Sequence, residues 1–251
     1  MSIDLHIHST MSDGTMTPSD IVDLAHKKGL SCLAITDHDT VAGYNEAKTR
    51  GDEIGVEVIS GVELSVRFDD ENVHLLGYFV DCTNQKLLEG LCELHGGRNI
   101  RNGKILKKLS ELGVQISESD LKHVSVTGET GRPHIAKILL QRGVVRSMDE
   151  AFDKYLGRNG CAYVSRFVYD IDHGINLIHG AGGLAVVAHP AGLLRDDMES
   201  GDILQKLKHF GLDGVEAYYP THSRKFRKQL IALASHNGLI ITGGSDYHGT
   251  I

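Results

Sequence analysis

Fifteen histidines in 251 residues exceed what packing or a surface requires. Asp4-Leu5-His6-Ile7-His8 sets two imidazoles two residues apart. On an extended strand, side chains at i and i+2 share a face, so His6 and His8 can meet at one metal ion. Six histidines (His6, His8, His38, His74, His189 and His248) are expected at or just after the C-terminal ends of strands. Carboxylates keep them company: Asp13 after the first strand, Asp37 and Asp39 around His38, Glu63, and Asp246 before His248. Imidazole with carboxylate, and no thiolate, suits Zn2+, Mn2+ or Fe2+. A glutamate such as Glu63 can bridge two ions, and two ions about 3.5–4 Å apart can hold a hydroxide and clamp a phosphoryl group for in-line displacement. A lone His-x-His is a weak signal. So is Ala188-His189-Pro190, and Thr36-Asp37-His38-Asp39 competes with the use of Asp in turns. Their ordered recurrence along the chain points to a metal-dependent hydrolase.

Elements must bring these residues together. Short apolar runs alternate with amphipathic patterns in the first half and the last quarter, the signal of βα units. Strands are expected at residues 3–7, 30–36, 56–60, 62–68 and 73–80, and again at 184–188, 214–218 and 239–242. Thr17-Pro18 opens a helix, Thr17 as N-cap and Pro18 in the first helical position, with Ile21, Leu24 and Ala25 on the buried stripe. A second helix is expected over 41–53. From 84 to 165 the strand signal stops: Gly131-Arg132-Pro133-His134 opens one helix, and Ser147 with Glu150 forms a capping box for another over 148–156. The chain therefore reads as a barrel of residues 1–83 and 166–251, interrupted by a helical insertion, 84–165. In barrel enzymes the strand ends at one rim build the active site. The histidines within or at the ends of helices (His26, His95, His123, His173, His179, His209 and His236) are read as surface or packing residues. The nine residues of this sequence after the last expected strand, 243–251, are too few for the helix that usually closes a barrel.

Composition narrows the class. A net charge of −7 and a pI near 6.1 argue against a protein coating nucleic acid through a broad basic surface. The four cysteines, Cys32, Cys82, Cys92 and Cys161, form no CxxC pair, which disfavours a disulfide framework or a structural zinc knuckle. No stretch approaches about 18 uninterrupted apolar residues, so no spanning helix is expected, and no signal-like leader is evident. A cytoplasmic enzyme is the resulting expectation.

Asp4-Leu5-His6-Ile7-His8-Ser9 with Ser12-Asp13-Gly14 resembles the opening of the polymerase-and-histidinol-phosphatase (PHP) family. Thr36-Asp37-His38-Asp39, Gly61-Val62-Glu63, His74, Ala188-His189-Pro190 and Gly244-Ser245-Asp246-Tyr247-His248 resemble its remaining motifs, in order, across essentially the whole chain. The resemblance implies an α/β fold, a distorted (β/α)7 TIM-like barrel with a helical insertion. It further implies a trinuclear centre: His6, His8, Glu63 and Asp246 for the first ion, Glu63, His74 and His189 for the second, Asp13, His38 and His248 for the third. Every expected ligand is present, which favours an active enzyme. Asp13, His38, Glu63 and Asp246 would carry the catalysis through a hydroxide between the ions. Three divalent ions are expected, Mn2+ first, with Zn2+ and Fe2+ fitting the same ligands.

The insertion bears on substrate. Gly131-Arg132-Pro133-His134-Ile135-Ala136, Tyr155-Leu156 and Ala162-Tyr163-Val164 resemble a subgroup that removes the 3′-phosphate from 3′,5′-bisphosphonucleotides, some of whose members trim short RNA or DNA from the 5′ end. Arg132 at a helix start could bind phosphate bidentately, or pair with a nearby carboxylate at the surface. His134 could donate to the same phosphate. His222 could contact phosphate, protonate the leaving oxygen, or cap the helix that starts there. The basic run Arg224, Lys225, Arg227 and Lys228 reads as a solvated face. The expected partner is a bisphosphonucleotide or short RNA, with no membrane and no obligate protein partner. The competing readings are a histidinol-phosphate phosphatase, a general phosphodiesterase or exonuclease, and a non-catalytic, metal-stabilised PHP module.

Overall fold

The computed structural model describes residues 2–124, 130–194 and 197–249. The chain divides into two compact units, one of Met1–Cys92 with Val168–Ile251, the other of Glu93–Phe167.

The first unit is a curled sheet with helices. Its strands are β1 (Ser2–Ile7), β2 (Leu30–Ile35), β3 (Glu57–Phe68), β4 (Glu71–Tyr78), β5 (Tyr169–Asp170), β6 (Leu184–Val187), β7 (Gly214–Tyr218) and β8 (Ile240–Gly243). Its helices are α1 (Pro18–Lys27), α2 (Tyr44–Ile54), α7 (Ile171–Gly180), α8 (Asp197–His209) and α9 (Arg224–His236). The strand order is β1-β2-β3-β4-β6-β7-β8, with β5 beside the end of β3. All neighbours run parallel except β4, which is antiparallel to both β3 and β6. Seven strands thus form the wall of a distorted barrel. No ladder joins β8 to β1 among the described residues. Residues 245–248 bridge the gap instead, with Asp246 N donating to His6 O and His8 N to Tyr247 O, both at 2.9 Å.

Local chemistry explains much of this. Thr17 caps α1 by accepting from Asp20 N, Pro18 occupies the first turn, and Ile21, Val22 and Ala25 are buried. Asp69 and Asp70 both adopt positive φ, 45° and 65°, the two-residue turn whose twist suits a hairpin, here joining Phe68 to Glu71.

Four expectations need correction. The segments 56–60 and 62–68 are one twelve-residue strand. Gly61 does not break it; a Cβ there would lie 2.8 Å from Ile35 O, so the glycine permits close approach of β2. The helix expected from 41 starts at Tyr44. The helix over 148–156 is α-helical only at α6 (Met148–Ala151) and becomes a π-helical turn over Phe152–Leu156. Ser147 accepts from Glu150 N as expected, but the Glu150 carboxylate reaches Arg146 N, one residue before the cap. Finally, His74 lies near the start of β4, not after a strand end. Because β4 runs backwards, its start stands at the rim where the parallel strands end.

The second unit packs most of α3 (Gln85–Glu111) with α4 (Glu118–Val124), α5 (Arg132–Gln141) and α6. Ile105, Leu109, Ile135, Leu139 and Leu156 fill its core. No strand occurs among its described residues; residues 125–129 of the expected helical stretch lie outside them.

Candidate metal centre

His6 and His8 project from the end of β1 into a buried cluster. His6 Nε2 and His8 Nε2 are 3.1 Å apart. Glu63 Oε2 lies 3.4 and 3.2 Å from them, and Asp246 Oδ1 also lies 3.4 and 3.2 Å away. The edge of a tetrahedron with metal–ligand bonds of 2.0–2.1 Å is about 3.3 Å. Those donors therefore already have the spacing of a coordination shell.

Glu63 turns its other oxygen elsewhere. Oε1 is 2.9 Å from His74 Nδ1 and 3.0 Å from His189 Nε2, and those two nitrogens are 3.4 Å apart. A third group is looser: Asp13 Oδ1 stands 3.4 Å from His248 Nε2, and Asp13 Oδ2 3.9 Å from His38 Nε2. His8 Nδ1, 3.8 Å from Asp13 Oδ1, reaches this group too. His38 also sits with Glu63 and His74 in a metal-capable group. Sequence reading assigned neither extra membership. All nine expected ligands thus meet in one unit of the protein. His8 Nδ1, His38 Nδ1 and Glu63 Oε2 are buried without a hydrogen-bond partner, although His38 Nδ1 is 2.9 Å from Glu63 Oε2. Lone pairs packed together without hydrogen bonds are costly unless a cation joins them. The donor set fits divalent metal.

Supporting residues hold the donors in place. Asp37 accepts from Ser9 N, Ser9 Oγ and Ser12 Oγ at 2.6–2.7 Å, tying the loop that carries Asp13 to the end of β2. Asp39, at φ 57°, accepts from Ser65 N on β3. Gly244 is obligatory in its motif: a Cβ would lie 2.2 Å from His6 Cβ. His189 and Asp246 are themselves left-handed, φ 29° and 53°, a strain that clusters at functional sites. Two supporting residues escaped sequence reading. Glu216, fully buried on β7, lies 2.9 Å from His6 Nδ1 through Oε1 and accepts from His189 N at 2.7 Å through Oε2. Its one signal was a carboxylate inside the apolar run Gly214–Tyr218. Tyr219 Oη donates to Asp246 Oδ2 at 2.7 Å.

Charge follows from this packing. Burial opposes a proton on His8, yet bonds to Asp246 and Glu63 outweigh it and raise its pKa to about 10. Burial likewise opposes charge on His6, where the fields of Glu63 and Glu216 prevail and raise it. At His38 burial outweighs the pull of Glu63 and Asp13 and pushes the pKa down to about 4, so the ring is neutral at neutral pH and one nitrogen offers a lone pair. Glu63, despite burial, is held well below the carboxylate range by His38, His74 and His6. Without metal, protons on imidazole therefore balance the carboxylates.

The residues expected at the substrate are more scattered. Arg132 and His134 lie in the helical unit. Arg132 Nη1 donates to Leu156 O at 3.2 Å, and its guanidinium sits 5.9 Å from the Phe152 ring centre; no carboxylate pairs with it among the described residues. His134 Nδ1 accepts from Gly131 N at 3.1 Å. His222 is buried beside Tyr219 and Phe226. It does not cap α9; Ser223 does. Its Nδ1 donates to Ala217 O, so Nε2 carries no proton in the neutral ring, and burial lowers its pKa. Of the helix-borne histidines, none belongs to a metal-capable group among the described residues.

Known proteins are similar to this chain. The chain matches the PHP domain over residues 4–245. It is 36% identical to a 5′-3′ exoribonuclease of Haemophilus influenzae, over 98% of this chain and 89% of that protein. A 3′,5′-nucleoside bisphosphate phosphatase of Chromobacterium violaceum is 32% identical over 98% of this chain and 87% of its own length. A solved structure of an amidohydrolase from C. violaceum, with bound sulfate and no metal, superposes with a TM-score of 0.92 at 30% identity, covering 99% of this chain and 88% of that one. With its motifs in order, its donors gathered at one rim and its whole length matched, the chain belongs to the PHP domain family.

Proposed function

We propose that this protein is a metal-dependent phosphoesterase that hydrolyses the 3′-phosphate of 3′,5′-bisphosphonucleotides and also acts on short oligonucleotides from the 5′ end. The observation that carries this reading is the division of Glu63 between two donor sets inside a nine-residue His/carboxylate cluster. Identity to a bisphosphate phosphatase and an exoribonuclease along nearly the whole chain supports it.

In this reading His6, His8, Glu63 and Asp246 hold one divalent ion, Glu63, His74 and His189 a second, and Asp13, His38 and His248 a third. Mn2+ is our assignment, with Zn2+ and Fe2+ compatible with the same donors. Such ions supply Lewis acidity, which polarises phosphoryl oxygens and makes water a nucleophile at neutral pH. The protein does the rest. Glu216 fixes the His6 ring, because Nδ1–H donates to its carboxylate and turns the Nε2 lone pair toward the cluster. Tyr219, whose pKa is raised by burial and by Asp246, stays a phenol and aims that carboxylate. Arg132 and His134 recognise phosphate from the helical insertion, 84–165, which selects the substrate. His222, in the barrel unit, has an unprotonated Nε2 and accepts a hydrogen bond from substrate more readily than it protonates a leaving oxygen. The four cysteines are unbridged, which suits a reducing compartment and supports a cytoplasmic location. Among the described residues no helix is long and apolar enough to cross a membrane.

The test is phosphate release by the Mn2+-loaded protein from adenosine 3′,5′-bisphosphate and, side by side, from histidinol phosphate. Turnover of the first alone is expected. Preference for histidinol phosphate would reassign the substrate, and no turnover of either with metal bound would leave a metal-stabilised module.

A further inference from the structure

The net charge of −7 is divided unevenly. Residues 93–167 carry thirteen Lys and Arg against eight Asp and Glu, a net +5. The rest of the chain carries thirteen against twenty-five, a net −12. The acidic total thus conceals a basic helical unit.

Part of that excess is concentrated on α3. Lys104, Lys107 and Lys108 are exposed, whereas Ile105, Leu106 and Leu109 beside them are buried. Spacings of three and four residues put the lysines on one face. Among the described residues neither Lys104 nor Lys107 has an ion pair. Lys108 Nζ donates to Tyr163 O at 2.7 Å, a neutral acceptor that leaves its charge uncompensated. Elsewhere in the unit Arg142 pairs with Asp120 and Lys154 with Glu150. The three lysines, with Tyr163, Val164 and Ser165, line a groove of 570 Å³ in which Glu111 is the single acid. Like charges at this spacing cost a helix about 0.2–0.5 kcal/mol per pair; Glu111, four residues after Lys107 and three after Lys108, offsets this in part and leaves the face net positive.

We propose that this face of α3 binds the phosphate backbone of a single-stranded oligonucleotide. The proposal rests on the phosphoesterase reading for its substrate class and deepens it. A mononucleotide has no chain of phosphates to lie along the groove. An oligonucleotide has, and each phosphate neutralised by lysine releases counterions.

The experiment is fluorescence anisotropy of a 3′-labelled oligoadenylate with phosphorothioate linkages, which resist hydrolysis, against the metal-loaded protein at increasing salt. Removing three contacts from a single strand should make the slope of log affinity against log salt shallower by about 2. The combined Lys104→Gln, Lys107→Gln and Lys108→Gln variant should therefore lose ~20-fold less affinity than wild type between 50 and 200 mM salt. Should that variant misfold, Lys107→Gln alone should reduce the slope by about 0.7. An unchanged slope in a folded variant, or wild-type binding indifferent to salt, would overturn the proposal. Phosphate release from adenosine 3′,5′-bisphosphate is assayed in parallel and should be the same in all these proteins. If wild type fails that assay yet binds the oligonucleotide with the expected salt slope, the phosphatase reading falls and the cationic face stands.

Discussion

Glu216 shows how much rests on a side chain that touches no substrate. One oxygen faces His6 Nδ1 and the other holds the backbone N–H of left-handed His189, so a single carboxylate positions one donor in each of two sets. Glutamine cannot do both, since one end of its amide is a donor. Glu216→Gln should weaken metal binding ~10–100-fold while leaving far-UV circular dichroism unchanged, as read by chelator competition. Asp13→Ala and His38→Ala should abolish turnover with the fold largely intact; wild-type rates in metal-loaded variants would refute the site. His8 gives a pH prediction. In the metal-free protein its pKa is raised from 6.5 to about 10, so its stabilising charge is fully present below pH 6.5 and lost as pH rises through 10. Metal must displace that proton. Calorimetry in buffers of different ionisation enthalpy should show proton release on binding, and affinity should rise with pH across this window. The nine donors were legible because imidazole and carboxylate are rare side by side in apolar patterns. Glu216 was not, because its partners lie 210 and 27 residues away and no spacing announces them.

At the scale of elements, the reversal of β4 decides the geometry. Placed parallel, the strand would begin at the opposite rim and take His74 away from Glu63. Sequence pattern gave extended segments at 62–68 and 73–80, because period-two alternation is a local signal. It split β3 at Gly61, because glycine within a strand reads as a break when the neighbouring strand is unknown. Gly61→Ala should cost about 1–3 kcal/mol through overpacking against Ile35, seen as a lower urea midpoint, and should loosen metal binding at Glu63, two residues on. Thr17→Ala removes the cap of α1 and should cost about 1 kcal/mol. Because α1 carries none of the nine donors, chelator competition should find metal affinity unchanged.

For the whole molecule, metal and stability are linked. An ion present at a hundredfold its Kd adds ~2.7 kcal/mol to the folded state, so chelation should lower the Tm by about 5–10 °C, and added Mn2+ should restore it. A Tm indifferent to chelator would contradict a metal centre built into the barrel. Net charge was the least informative property at this scale, since a sum cannot reveal that opposite signs occupy different parts of the chain. The closure of the barrel has a consequence for its synthesis. Residues 245–248 both fill the gap beside β1 and supply Asp246 and His248, while Ser245 N reaches back 241 positions to Asp4. Loop closure over that distance is slow, and the two edges can meet only after every strand between them has been made. A partly made chain lacks two of its nine donors. The two edges of the barrel and the donors they carry therefore come together in one long-range closure, so the donor cluster is complete only when the barrel is.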